Sequence, residues 1–159
     1  MFGRKKPEQS FESLVLRQEN RVYRIGLAIL GNAQDAEDLT QETFLKYLEK
    51  RPRFENDSHE RAWFITVARN GAITRLRAKS RQELPLEMEI PTPGPEEREL
   101  LEELYALPAE DREVIHLYYY EGYTTGEIAK MTHRQEGTVR SRLSRARGKL
   151  KKLLEEVEA

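Results

Sequence analysis

Thr125-Gly126-Glu127-Ile128-Ala129-Lys130-Met131, followed by Gly137-Thr138-Val139-Arg140-Ser141-Arg142-Leu143-Ser144-Arg145-Ala146-Arg147, is the stretch that decides the fold. It predicts a short helix, a turn and a second helix. Stepping about 100° per residue from Val139, Leu143, Ala146, Leu150 and Leu153 share one narrow face. Arg140, Ser141, Ser144, Arg145 and Arg147 fan across the opposite side. Upstream, Pro108 suits the first turn of a helix whose buried face is Val114, Leu117 and Tyr118, and Gly122 suits its left-handed exit. Thr124 or Thr125 can cap the short helix.

Arginine's planar fork matches the major-groove edge of guanine and also grips phosphate, and serines between arginines leave room for close approach. A short helix and a tight turn before a basic helix is the arrangement that enters the major groove of DNA. An ordinary amphipathic helix with a basic surface would not need the small-residue opening Gly137-Thr138.

Outward from there, charge is segregated although the 159-residue chain carries a net charge of only −1. Residues 61–81 hold six basic side chains (Arg61, Arg69, Arg75, Arg77, Lys79 and Arg81) and no acid. Residues 134–152 hold eight basic side chains against Glu136 alone. Acids gather at Asp35, Glu37, Asp38 and Glu42, and along residues 83–113. Two basic blocks divided by an acidic connector imply two places that meet phosphate. With 38% apolar and 35% charged residues, any core is modest and shared among amphipathic helices. The absence of cysteine excludes disulfides and thiolate metal sites and suits a cytoplasmic protein. Neither end has an apolar run of signal-peptide or membrane-span length.

Phe11, Val15, Gln18, Val22, Ile25 and Ile29 alternate at spacings of four and three, one apolar seam on a first helix over 11–30 that Gly31-Asn32 ends. A second helix over 33–50 opens with acids, offers Leu39, Leu45 and Leu48 for packing, and stops at Arg51-Pro52. After a loop, Asp57 or Ser58 caps a third helix over 60–80 with Ile65, Ala68, Ala72 and Leu76 inward. Gly71 inside it predicts close helix packing. Pro85, Pro91, Pro93, Gly94 and Pro95 break regular structure. The reading is all-α: a helical domain over 8–80, a flexible acidic, proline-rich linker over 81–95, and a second helical domain over 96–157.

Taken together, these residues resemble sigma factors of the extracytoplasmic-function type. Leu107-Pro108, Arg112-Glu113-Val114, Glu121-Gly122, Glu127-Ile128-Ala129 and the run 137–147 are similar to sigma region 4, which reads the minus-thirty-five promoter element. The resemblance assigns that contact to Thr138, Arg140, Ser141, Ser144, Arg145 and Arg147. The run 35–46 is similar to region 2.2, which docks on core RNA polymerase, here through Asp35, Asp38, Gln41 and Glu42. Trp63-Phe64-Ile65-Thr66-Val67-Ala68-Arg69-Asn70 and the basic tail to Arg81 resemble the minus-ten recognition and melting segment. For melting, Arg61, Arg69, Arg75 and Arg77 supply cations. Arg53, Phe54, Asn56, Trp63 and Asn70 supply a platform or pocket for an unstacked base.

The resemblance implies promoter-directed transcription initiation as a polymerase subunit, without catalysis or cofactor, with bacterial core RNA polymerase, promoter DNA and an anti-sigma factor as partners. One departure stands out. Family members place a glycine, an aliphatic residue and a serine-like cap where this chain has His133, Arg134 and Gln135, so the turn before the reading helix is expected to be less well anchored, or shaped differently. The competing reading is a dimeric helix-turn-helix regulator that binds a symmetric site without polymerase. The acidic second helix and the basic, aromatic third helix argue against it. His59, His116 and His133 are scattered and predict neither a metal nor a hydrolytic centre.

Overall fold

A computed structural model describes residues 7–81 and 102–158. Every regular element among them is helical: α1 (Pro7–Leu30), α2 (Ala33–Lys50), α3 (Asp57–Arg81), α4 (Ala109–Ile115), a π-helical turn (His116–Tyr120), α5 (Thr125–Thr132) and α6 (Glu136–Glu158). Residues 82–95 of the expected linker lie outside the described residues. The chain is helical again at residues 102–105.

The seam of α1 is the floor of the amino-terminal unit. Val22, Ile25 and Ile29 are fully buried there, and Phe11 and Val15 pack at its edge. Gln18, the polar member of the seam, is buried as well. It is satisfied by donating to Glu60 Oε1 at 2.8 Å, while Arg17 grips both oxygens of the same carboxylate at 3.0 and 3.2 Å. That pairing ties α1 to the first turn of α3, where the helix dipole also favours an acid.

The helix ends follow local chemistry. Gly31 takes a left-handed φ of 66°, and Asn32 then caps α2 by accepting from Asp35 N at 2.9 Å. Arg51 closes α2 with φ 44°, its N–H bonded to Tyr47 O at 2.8 Å. The cap of α3 is Asn56, whose Oδ1 accepts from His59 N at 2.8 Å. Asp57 and Ser58, the expected caps, lie inside the first turn instead.

Leu39 holds the three helices together. It is 1% exposed and wedged between two glycines on opposite partners. A β-carbon on Gly26 of α1 would stand 2.8 Å from its Cδ2, and one on Gly71 of α3 would stand 2.7 Å from its Cδ1. The close packing expected at Gly71 is therefore specific to one leucine. Leu45 and Leu48, by contrast, stay on the surface.

In the carboxy-terminal unit Pro108 precedes α4, with Val114 and Leu117 buried and Tyr118 at the core's edge. The helix does not run regularly to Gly122. It widens over residues 116–120, where Glu121 N bonds His116 O at 3.0 Å and Tyr123 N bonds Leu117 O at 3.0 Å. Gly122 then turns out with φ 77°. Thr124 and Glu127 form a reciprocal capping box on α5. Val139, Leu143 and Ala146 are buried under α6, as the 100° periodicity requires. The two units meet, α1 packing against α4 and the π-helical turn in one continuous apolar cluster.

The glycine pair yields a double-mutant test. Gly71→Ala should destabilise the wild-type chain by about 1–3 kcal/mol through overpacking on Leu39. In a Leu39→Ala background, itself weaker by about 2–5 kcal/mol, the same change should become neutral or stabilising, because alanine is favoured over glycine in a helix by roughly 1 kcal/mol. Urea denaturation measures both, and an equal effect in the two backgrounds would show that Gly71 does not accommodate Leu39.

Candidate nucleic-acid interface

The outer face of α6 is free. Arg140, Ser141, Ser144 and Arg145 are exposed and line one shallow depression, with Thr138 exposed at the helix start. Arg140 keeps only a loose pairing with Glu136 at 3.6 Å, and Arg145 Nε donates weakly to Ser141 O at 3.4 Å. Arg147 leans back over the rings of Tyr118 and Tyr119, 5.5 and 5.7 Å from their centroids. Arg142, between the outward arginines in sequence, turns inward to Glu110 at 2.8 Å and Asp111 at 3.4 Å.

The unusual turn is firmly held. His133 adopts the left-handed conformation, φ 54°, that glycine would occupy with less strain. Arg134 reaches the fully buried carboxylate of Glu113 at 3.5 Å and Glu110 at 3.8 Å. Gln135 O accepts from Thr138 N and Val139 N at 3.0 and 3.2 Å, starting α6. Arg134 thus gives the turn a charge-assisted anchor, against the expectation of weaker anchoring at His133-Arg134-Gln135.

On α3 and the loop before it, the nine residues expected at the minus-ten element divide into four kinds. Arg53, Asn70 and Arg77 are exposed. Phe54 and Trp63 belong to an aromatic cluster: Phe54 stacks on Tyr47 at 6.2 Å, and Trp63 meets Phe64 edge-on at 4.9 Å. Asn56 is occupied as the helix cap. The remaining three cations are engaged. Arg61 Nε donates to Tyr123 Oη at 3.2 Å, Arg69 pairs with Glu113, and Arg75 with Glu42 at 2.6 Å.

The acids of α2 also divide. Asp38 and Gln41 are exposed. Asp35 is bound by Lys79 and Glu42 by Arg75 and Lys46, so α3 neutralises two of the four expected docking groups. Burial pushes the Glu42 carboxyl up, but Arg75 and Lys46 together outweigh it and hold the group below the usual range. Beside Gln41, the residues Phe11, Val15, Phe44, Leu45 and Leu48 form an open apolar groove of about 430 Å³. Sequence reasoning gave those leucines to packing. Leu45 is 65% exposed, and only its position off the Leu39 face of the helix could have marked it as surface.

Family models match this chain in two consecutive blocks, Sigma-70 region 2 over residues 14–82 and Sigma-70, region 4 over residues 97–150. The RNA polymerase sigma factor CarQ of Myxococcus xanthus is 32% identical, covering 95% of this chain and 92% of that protein. The chain belongs to the sigma-70 family, in its extracytoplasmic-function branch. The ECF RNA polymerase sigma factor SigE of Mycolicibacterium smegmatis is 32% identical over 91% of this chain. A protein of Xanthomonas campestris pv. campestris, named a probable RNA polymerase sigma factor RfaY, is 32% identical over 88%. Both are longer, and this chain spans 62% and 39% of them. Among solved structures, sigma factor RpoE of Bartonella quintana, in complex with the anti-sigma factor NepR, superposes with a TM-score of 0.80 at 27% identity, covering 92% of this chain and 98% of that one. No described helix is long and apolar enough to cross a membrane.

Where the two units meet, Glu121 carries a pH dependence. Burial pushes its carboxyl up, yet His116 and Arg21 together outweigh burial and hold it below the ordinary range. Its folded value is depressed, so its stabilising contribution is complete above the unfolded value of about 4.3 and is lost as pH falls through the folded value. In acid-unfolding curves, Glu121→Gln should remove stability at neutral pH and flatten the profile below pH about 4.3. Parallel curves for the two proteins would show that Glu121 does not contribute this dependence.

Proposed function

We propose that this chain is an RNA polymerase sigma factor that directs core polymerase to specific promoters. The observation that carries the reading is one chain presenting three surfaces in the family's order. These are an acidic, leucine-bearing face on α2, a basic face on α3, and the exposed Arg140-Ser141-Ser144-Arg145 face on α6. Polymerase supplies the nucleotidyl transfer, and this chain supplies position.

In this mechanism α6 enters the major groove at the minus-thirty-five element. Arg140 and Arg145 have guanidinium groups free to fork onto guanine or phosphate, Ser141 and Ser144 permit close approach, and Thr138 meets the backbone near the helix start. Arg147, resting on tyrosines, serves as a phosphate contact. At the minus-ten element Arg53, Arg61, Arg69, Arg75 and Arg77 meet the backbone while Asn70 borders the melted strand. The Phe54–Trp63 cluster forms the wall against which an unstacked base rests. Asn56 acts through the α3 cap it provides. Docking on polymerase uses Asp38 and Gln41 together with the apolar groove at Leu45 and Leu48. Asp35 and Glu42 fix α2 against α3 and contribute charge at the rim. Two modest DNA contacts on one polymerase-held chain reinforce each other through effective concentration. The RpoE structure contains an anti-sigma factor, and a partner of that kind, masking one or both units, is proposed here too. The place of action is the cytoplasm.

Run-off transcription from a genomic DNA pool, with core polymerase and with or without this chain, tests the reading. Discrete start sites should appear only when the chain is present; their absence overturns it. On a promoter so found, Arg140→Ala or Arg145→Ala should lose roughly 1–3 kcal/mol of discrimination at one base pair if the side chain reads a base, and should weaken all sequences alike if it holds phosphate. Asp38→Lys should weaken core polymerase binding in a pull-down titration with the melting curve unchanged. Asp35→Lys should instead lower the melting temperature through loss of the Lys79 pair. Unaltered polymerase binding by folded Asp38→Lys would take Asp38 out of the docking surface.

A further inference from the structure

Glu136 is the only acid among residues 134–152, and it stands in the first turn of α6. Arg140 follows one turn later, about 40° around the helix, so the two side chains share a side. An acid there suits the helix dipole, and a glutamate four residues before an arginine is an ordinary helix pair of little stability. Neither accounts for how the carboxylate is held. Thr125 Oγ1, on the neighbouring α5, donates to its Oε1 at 3.0 Å, and the same oxygen faces Arg140 Nη1 at 3.6 Å. Thr125 is not needed as a cap, because Thr124 caps α5. Gly126 leaves the space beside it open, since a β-carbon there would stand 3.9 Å from both carboxylate oxygens.

A carboxylate so placed treats the two DNA ligands of an arginine unequally. Phosphate at Arg140 would bring a second anion up to Glu136, and like charges repel. N7 and O6 of guanine are uncharged acceptors and meet no such repulsion. With Nη1 turned to Glu136, the other donors of the guanidinium fork are left for a base edge. An arginine already oriented also has less freedom to lose on binding. The pair is weak while both groups stand in water, and its attraction grows when DNA displaces that water. Arg145 provides the contrast: its contact is the Ser141 carbonyl, with no acid partner among the described residues.

We infer that Glu136, braced by Thr125, is a positioning residue that commits Arg140 to the major-groove edge of a guanine and turns it away from phosphate. This rests on the sigma-factor reading and deepens it. The minus-thirty-five element then carries a guanine within reach of Arg140, and selectivity for that base depends on an acid that itself touches no base.

The test uses the full chain on core polymerase, with each single base-pair substitution in the minus-thirty-five element of a promoter found by run-off transcription. Arg140→Ala should lose a preference of roughly 5- to 150-fold for one G·C pair. Glu136→Gln keeps the size and the acceptor for Thr125 but removes the charge. It should lose about two- to fivefold at that same pair and bind the mismatched promoters more tightly. Its slope of log affinity against log salt should steepen by about 0.9, the mark of one added phosphate contact. Thr125→Val, which spares the Thr124 cap, should act in the same direction, and circular dichroism checks that the helices persist. In an Arg140→Ala background, Glu136→Gln should change nothing further at that pair. An effect that persists there makes Glu136 a direct reader and overturns the positioning role. A loss spread evenly over all base pairs, an unchanged salt slope, or an Arg140→Ala variant with no single pair affected overturns it as well. Absence of transcripts with the wild-type chain overturns the sigma-factor reading and this inference with it, whereas transcripts with unaltered discrimination in Glu136→Gln overturn this inference alone.

Discussion

Glu113 has no exposed surface, and a carboxylate so placed is tolerated only when it is paired. Its two partners come from different parts of the molecule: Arg69 from the middle of α3 and Arg134 from the turn that launches α6. One acid therefore sets the geometry of the reading helix and the docking of the two units. Removing a partner from a buried pair typically costs several kcal/mol, because the remaining charge is stranded. With two arginines on one carboxylate, either can leave without that penalty falling in full.

The same logic sorts the arginines of the carboxy-terminal unit. Arg134 and Arg142 are paired with Glu110, Asp111 and Glu113, whereas Arg140 and Arg145 find only exposed or weak partners. Sequence shows five arginines in and before one helix. Arg147 rests on tyrosine rings, and burial and pairing divide the other four into two that build the motif and two left exposed. The acidic stretch that looks like an inert connector is in part the counter-charge for this sorting.

Much of the architecture was legible because its signals are local. Gly31, Asn32, Pro108, Gly122 and Thr124 act within one turn of their own positions, and the apolar faces of α1 and α6 follow from a 3.6-residue period. The misplacement of the α3 cap arose where Asn56, Asp57 and Ser58, three residues with capping side chains, stand side by side. Leu45 and Leu48 were assigned to packing by type alone. At 100° per residue they fall about 120° and 180° from Leu39, which puts them on the outer faces of α2 where they are found. The π-helical turn needs no distinctive residue and leaves no mark in the sequence. The site was less legible than the fold. The exposed polar face of α6 could be seen because it lies on one helix, but the fates of Arg61, Arg69, Asp35 and Glu42 depend on pairs 33 to 62 residues apart.

The pairs on α2 and α3 bear on how the amino-terminal unit divides its labour. Lys79 and Arg75 draw the basic tail of α3 along the acidic edge of α2, so the expected docking acids and melting cations partly neutralise each other. What remains unspent is Asp38 and Gln41 beside an apolar groove on α2, and Arg53, Asn70 and Arg77 around α3. Both ion pairs are only partly buried, so their exchange for phosphate or for a basic partner surface costs less than breaking a fully buried pair. The leucines have no such internal substitute. An apolar groove left in water gains free energy only when something covers it. In the proposed docking, affinity for polymerase therefore rests on Leu45 and Leu48 more than on the acid count, while the acids orient the approach to the groove.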